Sequence, residues 1–203
     1  MKRITGLLVI ACSLAACSLA PTAKDSPAVY DFGPARSGAP GTKIDASLMV
    51  APVTAPAWLD TSAVVYRLNH ENAARQRTYA NSRWAASPAA LVGQRLRARL
   101  AAVDAGIVGV SDGARADYAL RVDLEDFSHV FDSTAASRAS VTARVSLVNL
   151  SKRALHAQKS FSIERAAATP NAEGGVRALA AGADELVEAI AAWTAASMPR
   201  NVK

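Results

Sequence analysis

The chain has 203 residues, 51% of them hydrophobic and 20% charged, a balance that suits a packed core and excludes a disordered or fibrous chain. Its formal charge of +6 comes from basic residues spread along the sequence and interleaved with acids, without the cluster that nucleic-acid binding needs. An aromatic content of 5% argues in addition against a base-stacking surface.

The first element is a leader. Lys2 and Arg3 precede an apolar run from Ile4 to Ala11, interrupted only by Thr5 and Gly6, and the run closes on Leu14-Ala15-Ala16-Cys17. Residues 1–16 are too few to cross a bilayer core of about 30 Å as a helix. The Leu14 to Cys17 string resembles the lipobox of a bacterial lipoprotein signal. That resemblance implies that Cys17 becomes the mature N-terminus, with a diacylglycerol on its sulfur and a third acyl chain on its amine. Several acyl chains anchor a protein stably where one does not. Ser18, a residue other than aspartate after the modified cysteine, resembles the outer-membrane sorting pattern. The alternative is an ordinary secretory signal cut near Ala16, leaving Cys17 a free thiol. Loss of the leader takes Lys2 and Arg3 with it, lowering the charge from +6 to +4 and leaving 187 residues. Cys12 departs too and Cys17 is consumed by lipid, so no intrachain disulfide forms.

Residues 17–28, with Pro21, Lys24, Asp25, Ser26 and Pro27, read as a lipidated cysteine and a tether that reaches at most about 36 Å. A domain is expected over 29–203. Gly33 to Gly41, carrying Pro34, Gly38 and Pro40, reads as a loop. Ser47 to Val53, Ala63 to Leu68 and Arg77 to Trp84 are short apolar or β-branched runs, the last two forming a hairpin across the polar His70-Glu71-Asn72 stretch. Ser87-Pro88 opens a helix, Ser as N-cap and Pro at the first helical position. Val92, Leu96, Leu100 and Val103 share its buried face, while Arg95, Arg97 and Arg99 point elsewhere. Gly106 to Val110 is a brief strand and Asp112-Gly113 a turn.

The clearest strand runs from Asp117 to Glu125, with Tyr118, Leu120, Val122 and Leu124 on one face. Phe127 and Phe131 then fall on the other parity, which predicts a bulge or strand end near Glu125-Asp126. Val141, Ala143, Val145 and Leu147, then Leu155, Ala157, Phe161 and Ile163, predict a hairpin of long strands around an Asn149 to Arg153 turn. Thr169-Pro170 caps a last helix. Its stripe is Val176, Leu179, Ala183, Leu186, Val187, Ile190 and Trp193, and Pro199 stops it. The fold class is therefore α/β, a single domain with a mostly antiparallel or mixed sheet packed with two main helices.

Chemical motifs are sparse. His70, His129 and His156 lie at no metal-ligand spacing, and exposed histidines are the expectation. There is no G-x-S-x-G elbow to single out a serine. Asp31-Phe32-Gly33 matches the kinase metal-binding triplet in letters but lacks every other kinase element. Gly174-Gly175 is placed to cradle an anion or, the preferred reading, to let helix and sheet approach closely. Asp123, Glu125 and Asp126 form an acidic knot, read as the solvated side of a strand. Trp58, beside Pro56 between strands, is either a lid on the core or an exposed partner-binding anchor. No catalytic residue, metal site or cofactor is assigned, and the chain is read as no enzyme.

Several strings in order resemble the ABC-type transport auxiliary lipoprotein family, which contains paraquat-inducible lipoprotein C. They are Ala55-Pro56-Ala57-Trp58-Leu59-Asp60, Ser82-Arg83-Trp84-Ala85-Ala86-Ser87-Pro88, the strand Asp117 to Phe127, and the Gly174 to Trp193 helix. The resemblance covers residues 28 to 197, although Tyr30-Asp31-Phe32-Gly33 departs from the family's tyrosine-leucine ending of its first strand. It implies an α/β fold with an antiparallel or mixed sheet and an outer-membrane lipoprotein facing the periplasm. It also implies a partner, the mammalian-cell-entry (MCE) domain protein of an ABC-type lipid transport system. Two readings follow: an accessory or scaffold of that system, or a small periplasmic carrier of lipid or another hydrophobic ligand, with an unrecognised hydrolase beside the latter. A homo-oligomer stays open, any self-association using strand edges and loops.

Overall fold

Tyr118, Leu120, Val122 and Leu124, the alternation read most clearly from sequence, mark the strand around which everything else is arranged. The computed structural model describes residues 26–35, 46–103, 107–109 and 112–199. In chain order the elements are β1 (Ala28–Tyr30), β2 (Leu48–Val50), β3 (Ala63–Leu68), α1 (Asn69–Asn72), β4 (Gln76–Trp84) and α2 (Pro88–Val103). There follow β5 (Ile107–Gly109), β6 (Tyr118–Phe131), β7 (Ser137–Asn149), β8 (Ala154–Ala166) and α3 (Ala172–Ser197). The Cys17 anchor, the tether up to residue 25, residues 36–41 of the expected loop, and Gly106 and Val110 at the ends of the expected fifth strand lie outside the described residues.

Together the strands form one eight-stranded mixed sheet. β7 lies antiparallel along the whole of β6, and β8 antiparallel on β7. On its other edge β6 carries two parallel strands in succession: β2, with Leu48 opposite Tyr118, and β3, with Tyr66 opposite His129. Between them Thr54 bridges to Asp123, so the chain leaving β2 stays on β6 before turning away. The sheet therefore forks, one branch adding β5 and the other adding β4 and β1. The expected β3–β4 hairpin is present, with the polar His70 to Asn72 stretch wound into the single turn of α1.

Both long helices serve the same core. α3 lies across β6, β7 and β8, with α2 beside it. Its stripe of Val176, Leu179, Ala183, Leu186, Val187 and Ile190 is buried, while Trp193 at the far end is half-buried and meets Phe161 edge-on at 6.1 Å. The helix starts two residues later than the Thr169-Pro170 signal, because Asn171 is the N-cap: its Oδ1 accepts from Gly174 N–H at 2.9 Å. Thr169 supports that cap by donating its hydroxyl to the same oxygen at 3.0 Å. α2 opens as expected, with Ser87 Oγ accepting from Ala90 N–H. The basic run on α2 ties the helices together: Arg99 Nε meets Glu188 at 2.6 Å and Arg95 meets Asp184 at 3.4 Å. At the fork of the sheet Phe32, Trp84 and Phe127 meet pairwise at 5.6 to 5.7 Å between ring centroids. Each such contact adds roughly 1 kcal/mol beyond the area it buries.

Two register shifts decide what faces where. The first, between Leu124 and Asp126, is the bulge expected at that point, and β6 continues through it to Phe131. The second, between Leu147 and Val148, inserts an extra residue into β8 and corrects the sequence expectation for Leu155. A slip of one residue exchanges the two faces of a strand. Leu155 consequently pairs with Val148 on the helix-free side and is 59% exposed. That side of the sheet also carries Arg121, Asp123, Arg144, Gln158 and Ser160, all exposed.

Candidate functional site

The three histidines are dispersed by the fold, each in a different setting. His70 Nδ1 lies 3.3 Å from Phe131 O, and His156 Nε2 lies 2.9 Å from Ser197 O at the end of α3. Both are exposed, as expected. His129 corrects that expectation, for it is fully buried on β6. Beyond the bulge the inward parity is odd, so Phe127, His129 and Phe131 follow one another on the face that α3 covers.

A polar and aromatic cluster surrounds His129. Its Nδ1 is hydrogen-bonded to the Tyr79 hydroxyl at 2.8 Å, and its ring lies 4.5 Å from that of Phe131. Tyr66 lies against Tyr79 at 4.5 Å between ring centroids, tilted by 30°, and meets Phe131 edge-on at 6.1 Å. Burial pushes the imidazole down to about 4 and, with Tyr66 beside it, holds the Tyr79 phenol above its ordinary range. Both groups are therefore neutral near pH 7, and His129 Nε2 is enclosed without a hydrogen-bond partner among the described residues. Gly175 of α3 sits directly over the ring. A β-carbon there would stand 2.3 Å from Nδ1, and one on Gly174 would stand 2.1 Å from Thr169 O. The close-approach reading of Gly174-Gly175 thus describes what the pair does.

The acidic knot is divided among local partners. Asp123 accepts from the Thr54 hydroxyl, and Glu125 pairs with Arg144. Asp126 Oδ2 accepts from Ser140 Oγ at 2.8 Å and Ser128 Oγ at 3.1 Å. Among the described residues no group of three or more His, Cys, Asp or Glu side chains is placed to hold a metal ion. Asp31-Phe32-Gly33 is a local turn, Asp31 Oδ1 accepting from Gly33 N–H at 2.7 Å while Phe32 enters the core.

Trp58 is neither fully enclosed nor fully exposed. Its ring is half-buried against the edge of the core, next to the fully enclosed Leu59, and the Arg67 guanidinium lies over it at 5.4 Å. Two surface clefts accompany these residues. One of about 670 Å³ lies between the β1 edge and α3, lined by Val29, Tyr30, Pro34, Ala180 and Asp184 among others. Another of about 600 Å³ lies on the helix-free face beside Pro52, Arg121, Val148 and Leu155. Each mixes charged and aliphatic walls; the first touches the buried stripe of α3 only at its first residue, Val176, and the second does not touch α3.

A sequence model of the ABC-type transport auxiliary lipoprotein component family matches residues 30–191. No curated protein matches the chain in sequence. Among solved structures, protein XCC0632 from Xanthomonas campestris, of the family DUF330, superposes with a TM-score of 0.71 at 16% identity, covering 85% of this chain and 94% of that one. A second, described only as an uncharacterized protein, superposes at 0.63 and 20% identity, covering 82% and 97%. PelC from Paraburkholderia phytofirmans, a dodecamer, aligns at 0.40 and 12% identity over 81% and 88%, too loosely to carry an argument. At these identities the structural likenesses establish the fold alone. The sequence match spans most of the chain from Tyr30 in β1 to Ala191 in α3, and so the chain belongs to the family of ABC-type transport auxiliary lipoprotein components, a transport class and not a class of enzymes.

Proposed function

We propose that this protein is an outer-membrane-anchored periplasmic lipoprotein that serves as accessory or scaffold of an ABC-type intermembrane lipid transport system, with an MCE-domain protein as its partner. Family membership over residues 30–191 is the observation that carries the reading. In it residues 1–16 are the signal peptide, Cys17 the lipidated residue, 17–28 the anchored tether, and 29–203 the domain that docks. Beyond Val176, which lines the cleft beside β1, the α3 stripe is covered by the sheet, and this supports a scaffold over a carrier, since an acyl chain would have to displace the sheet to reach Leu179 or Leu186, both fully buried. No helix among the described residues is long and apolar enough to cross a membrane, so attachment falls to the acyl chains on Cys17.

Replacing Cys17 with Ala tests the anchor. The variant is expected in the soluble periplasmic fraction or as an unprocessed precursor, with loss of co-purification of the transport components from washed outer membranes. Sedimentation of the Cys17→Ala protein with outer membranes after a high-salt wash would remove the lipoprotein anchor from the reading.

Trp58 is the proposed partner-binding residue. Its ring is large, only half-buried and overlain by the Arg67 guanidinium, the features of an aromatic anchor. Trp58→Ala should weaken association with the MCE protein by about 2 kcal/mol, as interface hot spots do. The melting temperature should fall little. A large thermal loss with unchanged association would make Trp58 a lid on the core instead.

A further inference from the structure

The longest free edge of the sheet belongs to β8, which has thirteen residues and pairs only with β7 among the described residues. β1 and β5, the other edges, have three residues each. Ala167 gives its N–H to Ser137 O on the β7 side. Backbone groups alternate along a strand, so Gln158, Ser160, Ser162 and Glu164 direct their N–H and C=O groups outward, away from β7. An exposed row of this kind is a template for another extended chain, and most proteins shorten it, cover it or break it with proline. β8 contains no proline, and α3 covers only its inner face.

Charge decides which chain fits. Residues 152–166 carry Lys152, Arg153, Lys159 and Arg165 against the single acid Glu164, a formal net charge of +3. Glu164 is held by Arg138 at 3.2 Å, and Arg165 by Glu185 at 2.8 Å. Lys152, Arg153 and Lys159 have no carboxylate partner among the described residues, Lys159 lying over the Phe161 ring at 5.1 Å. A second copy of the same edge would set +3 against +3, and like charges on adjoining strands are unfavourable. Lysine on an edge strand is a familiar guard against self-pairing. The same lysine matches an acidic strand.

We infer that the outer edge of β8 takes up an extended, carboxylate-rich segment of a partner protein as an added strand, main-chain hydrogen bonds supplying adhesion and Lys159, Lys152 and Arg153 selecting the charge. This rests on the reading of the chain as a transport accessory with a protein partner. The mode is β-augmentation, in which backbone pairing supplies affinity and side chains supply choice.

The full-length lipoprotein in detergent tests it with two acetylated decapeptides, one alternating glutamate with valine and the other lysine with valine. The acidic peptide should bind, more weakly as salt rises, and should slow amide exchange at Ser160 and Ser162. Ser162→Pro removes an outward N–H without breaking a β7 pair, and should lower acidic-peptide affinity at least about tenfold while the fold is kept. Lys159→Glu changes no backbone group and should shift preference toward the lysine peptide, which keeps the test decisive if the proline variant misfolds. Equal binding of both peptides, unchanged binding by Lys159→Glu, or a β8-dependent dimer of this chain that excludes the peptide would each overturn the inference. Loss of transport components from the anchored protein in cells would instead overturn the accessory reading, leaving the peptide result intact.

Discussion

Gly175→Ala is expected to destabilise the protein by about 3 kcal/mol, although the same change in an ordinary helix would stabilise it by about 1 kcal/mol. The added carbon would stand 2.3 Å from His129 Nδ1, 2.6 Å from Cγ and 2.8 Å from Cε1, so helix or imidazole must move. Neither has room. The ring is fully buried and hydrogen-bonded to Tyr79, and α3 is held at its first turn by Asn171 and by the contact of Gly174 with Thr169. Displacing the ring would also strain the Tyr79 hydrogen bond, worth about 1 kcal/mol. Gly182→Ala, further along the same helix, is the control, since its β-carbon would meet Val141 Cγ2 at 3.3 Å and Ile163 Cγ2 at 3.9 Å. Thermal melts should show Gly175→Ala lower by about 8 °C and Gly182→Ala close to the parent. A Gly175→Ala protein melting at or above the parent would mean that α3 is not pinned against β6.

How legible these features were in the sequence depends on whether one face of an element is wet. Leu120 to Leu124 alternate between buried and exposed, and their strand is readable at sight. From Phe127 to Val130 every residue is buried, so the alternation disappears just where His129 sits. The signal that places His129 inside was present, since Phe127 and Phe131 share its parity. Leu155 was misplaced for the opposite reason: the extra residue in β8 leaves no trace in composition, and only the pairing with Val148 reveals it. The fork at β6, with β2 and β3 both parallel to it, joins segments far apart in sequence, Leu48 to Tyr118 and Tyr66 to His129, and has no local signature. Gly174-Gly175 could be assigned to close packing, but its target could not. The β8 edge was foreseeable only as a class of surface, because which strand ends the sheet is settled by pairing and not by sequence pattern.

The burial of His129 has a consequence for acid stability. In an unfolded chain a histidine titrates near 6.5, whereas burial pushes this one down to about 4. Above about pH 6.5 the ring is neutral in both states and costs nothing. Between 6.5 and 4 the unfolded chain takes up a proton that the folded one refuses, so stability falls as pH falls and levels off once the folded state is protonated too. A separation of that size corresponds to about 3 kcal/mol at most, a large part of the stability of an ordinary domain. Protonation is opposed from every side: the ring faces Phe131, the neutral Tyr79 hydroxyl and the first turn of α3, whose amide dipoles repel a cation. His129→Gln retains a polar side chain that can pair with Tyr79 but cannot titrate. Urea midpoints measured from pH 7.5 to 4.5 should therefore fall steeply for the parent and more gently for His129→Gln, the two curves converging toward acid. Parallel curves would show that His129 is protonated alike in the folded and unfolded chain, and that some other group sets the acid limit.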